Sequence, residues 1–189
     1  MSAVRAQPAH QRSFGRLRRF VLTLTIPRQI LDDMVAEARA LAPHECCGLL
    51  AGKAGQVTHH YKIKNIVATE GGDAANFDEA KLAHLQRLAP EERADIAFVM
   101  DAREQSLALK DMRTRNLDLQ IIYHSHPHSP SRPSVTDIQN ATEFESIRKV
   151  LNLAEPLHLI ISLEKPTSPV MNAFRITSGE VTKVGYRSS

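Results

Sequence analysis

The sequence predicts a single α/β or α+β domain built on a mixed sheet. Three observations carry that reading. Apolar runs of strand length alternate with helical stripes, beginning strand then helix, with two more helices set among later strands. The chain has 189 residues, 42% of them hydrophobic, enough for one well-cored domain and short for two. No internal repeat or low-complexity tract interrupts the order.

The elements follow in turn. Residues 1–19 hold five arginines and no acid, and read as a disordered basic tail or an Arg-rich transit peptide. The domain is expected over residues 20–189. Phe20 to Thr25 predicts a first strand. Pro27 suits a first helical turn, and Ile30, Leu31, Met34, Val35, Ala38 and Leu41 continue a helical stripe that Pro43 ends. Glu45 falls at the junction with a strand from Cys46 to Ala51. A turn over Gly52 to Gly55 then leads to a second strand, Val57 to Val67. Residues 68–95 are the least legible: a loop at Gly71-Gly72-Asp73, then a helix from Phe77 to Leu88 closed by Pro90. Ile96 to Met100 predicts a short strand, and Asp101 caps a helix from Ala102 to Arg115 that Asn116 ends.

The next strand carries the chemistry. Leu117, Leu119, Ile121 and Tyr123 are expected to face one way, and Ile122, His124 and His126 the other. A Pro-rich loop, His128 to Pro133, ends that strand. Ser134 then opens a helix with Val135, Ile138, Ala141 and Phe144 on one stripe. Leu157, Leu159, Ile161 and Leu163 alternate as a strand, and Val170 to Thr177 with Val181 to Tyr186 form a closing hairpin through Ser178-Gly179.

Composition excludes several functions. Beyond the tail, 19 basic residues face 21 acidic ones, so the body offers nucleic acid no basic patch. No apolar run approaches the ~20 residues of a membrane span. Cys46 and Cys47 are adjacent and cannot staple a fold, so the chain reads as cytoplasmic and reduced, with both thiols as small core residues. His59 and His60 are expected on the exposed face of a strand, and His128 on a surface loop.

His124 and His126 share a face at a strand end, and Asp137 lies across one turn, in the first turn of a helix. Two imidazoles and a carboxylate leave the fourth position of a tetrahedral zinc open, as a catalytic site needs. The competing reading is a capping box, in which Ser134 and Asp137 serve backbone amides. The two oxygens of Asp137 could divide the work.

The joint spacing H-x-H-x7-S-x2-D, with Pro127 and Pro133, resembles the JAMM (MPN-plus) zinc metalloproteases. Their upstream glutamate looks like Glu45, within Pro43-His44-Glu45-Cys46-Cys47-Gly48-Leu49-Leu50. The resemblance covers roughly residues 20 to 185 and is greatest to small single-domain prokaryotic members. It implies a curved, mostly antiparallel mixed sheet flanked by helices, with cytidine-deaminase-like layering. It implies Zn2+ on His124, His126 and Asp137, Glu45 as general base, and Ser134 as transition-state donor. Residues 68–95 then look like an insertion, read as inert surface, with a groove wall as the alternative. The implied reaction is hydrolysis of a peptide or isopeptide bond, at the C-terminal Gly-Gly tail of a ubiquitin-like or sulfur-carrier protein. The rivals are a metal-free partner-binding scaffold and a zinc hydrolase of small amides.

Overall fold

The structure, a computed structural model, describes residues 24–69, 77, 79–150 and 153–189. The basic tail, the start of the first expected strand and the Gly71-Gly72-Asp73 loop lie outside the described residues. The order is β1 (Leu24–Ile26), α1 (Arg28–Leu41), β2 (Cys47–Lys53), β3 (Gln56–Ile63), α2 (Glu79–Leu85), α3 (Pro90–Arg93) and α4 (Ala102–Thr114). It continues with β4 (Asp118–His126), α5 (Val135–Val150), β5 (Leu157–Ser162), β6 (Val170–Thr177), β7 (Glu180–Val184) and β8 (Tyr186–Ser188).

One sheet runs β7-β6-β5-β4-β2-β3-β1-β8. Four of its pairings are antiparallel and three are parallel, the mixed and mostly antiparallel sheet expected. Helix α1 covers one face: Leu31, Met34 and Ala38 pack with Leu50, Ile121, Tyr123, Leu159 and Ile161. Helices α4 and α5 cover the other. Ala108 and Met112 meet Leu49, Ala51 and Ile63, while Ala141 meets Ile160, Phe174 and Ile176. Among the described residues no helix is long and apolar enough to cross a membrane.

Four expectations are corrected. The alternation of the fourth strand breaks at a bulge: Leu50 pairs with Ile121 but Ala51 with Leu119, leaving Gln120 unpaired. Leu117 and Leu119 therefore pack beside α4 with Ile122, not with Ile121 and Tyr123. Residues 96–100 form no strand, only a bridge between Met100 and Asn65, because the Asn65 side chain takes up the backbone groups a neighbouring strand would bond. Pro90 opens α3 rather than closing a helix, as its fixed φ allows. The closing hairpin stops at Val184, and Tyr186 belongs to β8, which pairs with β1 at the opposite edge of the sheet. Gly185 alone joins the two edge strands, so the sheet curls nearly into a barrel.

His60 is also not exposed; its side chain is 9% accessible. The hydroxyl of Tyr123 donates to Glu37 Oε2 at 2.8 Å, so it accepts from His60 Nε2 at 2.7 Å. Gly48 lies beneath, where any Cβ would strike the Tyr123 ring and the Tyr61 carbonyl. Glu37 Oε2 lies 3.7 Å from His60 Nε2, yet this is no ion pair: burial raises the carboxyl and lowers the imidazole. Burial, helped by the charge of Lys62, brings His60 from 6.5 to about 4. The unfolded chain therefore takes up a proton near pH 6.5 that the folded one refuses until about 4. Stability present above pH 6.5 is lost as pH falls through that window. The change in urea midpoint between pH 7 and 4.5 is expected to be less favourable in the wild type than in His60→Gln; equal changes would remove His60 as the cause.

Candidate functional site

The strand pairing of β2 with β4 aligns Cys47 with His124, and Ser125 N donates to the Cys46 carbonyl at 2.9 Å. Ser125 Oγ also accepts from Cys46 N at 2.8 Å. Antiparallel register then brings Glu45 opposite His126. His124 and His126 project from β4 to the face covered by α4 and α5.

The loop after β4 returns Asp137 to the same point. It is fastened by Ser162 Oγ to the Ser129 carbonyl (2.7 Å), by Ser131 Oγ to the Ile160 carbonyl (2.7 Å), and by Asn172 Nδ2 to the Ser131 carbonyl (3.0 Å). The capping box expected at the start of α5 is present. Ser134 N donates to Asp137 Oδ2 at 2.7 Å, and Asp137 N to Ser134 Oγ at 3.2 Å. The cap therefore does not turn Asp137 away from the imidazoles. Oδ1 lies 3.3 Å from His124 Nε2, and Oδ2, besides accepting from the amide, lies 3.5 Å from His126 Nε2.

The two Nε2 atoms are 3.0 Å apart. A tetrahedral ion with bonds of ~2.0–2.1 Å spaces its ligand atoms about 3.3 Å apart, so these three residues fit a small divalent cation. The His126 ring is fixed in orientation. The Pro130 carbonyl can only accept, so Nδ1 donates to it at 3.1 Å and leaves the Nε2 lone pair free. His124 stacks on Phe98, their rings 4.7 Å apart. Burial alone would raise the Asp137 carboxyl; the charge of His124 facing it, with the polar contacts of His124 and His126 and the hydrogen bond from the Ser134 amide, holds it well below the usual range.

Two cavities open on this triad. A polar one of about 260 Å³ is lined by Glu45, His126, Ser134 and Asp137, with Lys81 and Asp95. The other, more apolar, is lined by His124, Asp137 and residues of α4 and α5. Glu45 is 6% exposed. Burial first, then the charge of Asp137, raises its carboxyl well above the ordinary range. The structure thus brings together all five residues picked from the sequence. It does not bring a thiol into play: Cys46 and Cys47 are free and buried, and burial raises the Cys46 thiol to about 12. His128 is exposed, at the rim of the polar cavity.

Phe77, Lys81, Asp95 and residues 96–98 belong to the wall of the polar cavity, so the stretch at 68–95 is not inert surface. Sequence reasoning missed three contributors. Asn65 Nδ2 donates to the carbonyls of Glu45 (3.0 Å) and Ala97 (3.1 Å), while Oδ1 accepts from the amides of Val67 (3.1 Å) and Val99 (3.0 Å). One side chain thereby joins the Glu45 backbone to the segment carrying Phe98. Phe98 itself gave no signal. His158 did give one: it alternates with Leu157 and Leu159, on the face that holds His124.

With this geometry in place, the comparisons with known proteins agree. Residues 27–177 match the prokaryotic homologs of the JAB domain. The chain belongs to that family. The JAMM/MPN resemblance read from the motif is borne out at this level. The chain is 27% identical over 165 residues to the CysO-cysteine peptidase of Mycobacterium tuberculosis, covering 86% of this chain and 89% of that one. It is 30% identical over 120 residues to a probable TtuB-protein conjugate cleaving protease of Thermus thermophilus, covering 64% of each. A solution structure of a Desulfitobacterium hafniense protein superposes with a TM-score of 0.59 at 28% identity, over 88% of this chain and 92% of that one.

Asn65→Ala removes four hydrogen bonds around buried backbone and is expected to lower stability by about 2–4 kcal/mol in urea titration. A loss under about 0.5 kcal/mol would mean that Asn65 is no strut.

Proposed function

We propose that this chain is a zinc-dependent peptidase that cuts a peptide or isopeptide bond at the C-terminal Gly-Gly tail of a ubiquitin-like or sulfur-carrier protein. One observation carries the reading: a buried carboxyl, Glu45, opens into the same cavity as the His126–Asp137 edge of a metal-shaped triad. The relatives named for cleaving CysO-cysteine and TtuB conjugates support the substrate class.

His124, His126 and Asp137 would hold the zinc. When bound, it supplies Lewis acidity that makes water nucleophilic at neutral pH. Glu45 takes the proton from the attacking water and delivers it to the departing amine. Its buried setting suits both steps, because burial makes the carboxylate a stronger base than an exposed one, and the proton it takes up is then there to be returned. Ser134 Oγ accepts from the Asp137 amide, which leaves its own O–H free to donate to the oxygen that gains charge at the scissile carbonyl. No covalent intermediate is needed. The fastened loop keeps the imidazole pair and the carboxylate in register through the cycle. A Gly-Gly tail, lacking side chains, threads the site in extended form by strand addition.

The reading is tested by incubating the zinc-loaded chain with CysO carrying one added C-terminal residue, followed by intact mass. Loss of that residue is expected; an unchanged mass would sink the proposal. His126→Ala is expected to lose zinc, with metal content near one per chain as the contrary result. Glu45→Gln should keep zinc and lose turnover, and Ser134→Ala should slow turnover about a hundredfold. Glu45 must be ionised to act as base, so activity should fall as pH drops through its raised value. The acid limb of kcat/KM then lies above the ordinary carboxylate range; a limb near pH 4.5 would remove Glu45 from that role.

A further inference from the structure

The second cavity on the triad is not used by the mechanism above. It holds about 270 Å³ beside His124 and Asp137. Phe77, Phe98, Met100, Ile122 and Phe144 make its walls. Its polar groups are uncharged amides and an imidazole: Gln105, Asn140 and His158, with burial bringing His158 down to about 4. Apart from Asp137, no charged side chain lines it among the described residues. It meets the polar cavity along Phe77, Phe98, Asp137 and Asn140. Asn140 stands one turn after Asp137, and its Oδ1 is buried without a hydrogen-bond donor among the described residues. A buried carbonyl oxygen of that kind awaits an amide N–H.

We infer that this cavity receives the side chain of the residue released from the carrier, and that it selects an uncharged, mainly apolar one. The inference rests on the proposed cleavage after Gly-Gly. The two glycines have no side chain to place, so a side-chain pocket touching the metal ligands serves the residue on the other side of the scissile bond. Met100, Phe98 and Phe144 would enclose an apolar group, whereas an aspartate would lose its hydration beside the Asp137 carboxylate, with no lysine or arginine among the lining residues to pair with it. Asn140, at the boundary of the two cavities, presents its amide to the backbone of the same residue.

The probes are two forms of CysO extended after the Gly-Gly end, one by Leu and one by Asp, added to the zinc-loaded full chain. Cleavage of the Leu form is expected to exceed that of the Asp form by about ten- to hundredfold in kcat/KM. Met100→Trp fills the cavity and should collapse that ratio toward one; a folded variant that keeps the wild-type ratio overturns the location. The ε-methyl signal of Met100, read by NMR in the wild-type protein, should move with the Leu form and not with the Asp form. Where cleavage occurs, equal wild-type rates on both forms overturn the pocket. Where no form is cleaved, the peptidase reading falls; a methyl shift confined to the Leu form keeps the pocket, and no difference between forms overturns it too.

Discussion

The register of β2 against β4 is the constraint on which the site depends. Ser125 exchanges hydrogen bonds with both backbone groups of Cys46, one through its amide and one through its hydroxyl. A slip of one residue would turn His124 and His126 toward α1 and bury Tyr123 where the imidazoles now stand. It would also move Glu45 away from His126. The slip is prevented by packing on both faces: Leu50, Ile121 and Tyr123 are held under α1, and Cys47, Leu49 and Ile122 under α4. The apolar alternation of two strands therefore aligns a carboxyl with two imidazoles 79 and more positions away.

Much of the site could be read from sequence because the metal-shaped triad is local. His124, His126, Ser134 and Asp137 lie within fourteen residues of one another, and a strand, a Pro-rich loop and a helix start fix their relation. Even the contest between capping and ligation at Asp137 was visible: the cap forms, and the same carboxylate still faces both imidazoles. Glu45 was legible only through the resemblance, since its meeting with His126 depends on pairing between distant strands. Asn65 and Phe98 were not legible at all. Each acts through contacts that no local period encodes: Asn65 gathers backbone from three segments, and Phe98 sits on a stretch without regular structure.

The fold was legible in its elements and less so in its closures. The strands and long helices follow their patterns closely, because apolar spacing and packing agree there. The bulge at Gln120 reversed the facing of Leu117 and Leu119, which a strict two-residue period cannot anticipate. The unbroken reading from Val181 to Tyr186 failed for a different reason. Both halves do form strand, but Gly185 lets the chain leave one sheet edge and join the other.

That single-residue crossing has a dynamic consequence. The parallel pairing of β8 with β1 joins Leu24 to Tyr186, segments far apart in the chain, and each strand contributes only three residues to it. Loop-closure entropy makes such a seam the last to zip and the first to unzip. The seam is therefore the place where the curled sheet should breathe: amide protons of β8 are expected to exchange with solvent before those of β4, because local opening at the rim leaves the strand that carries His124 and His126 paired on both sides.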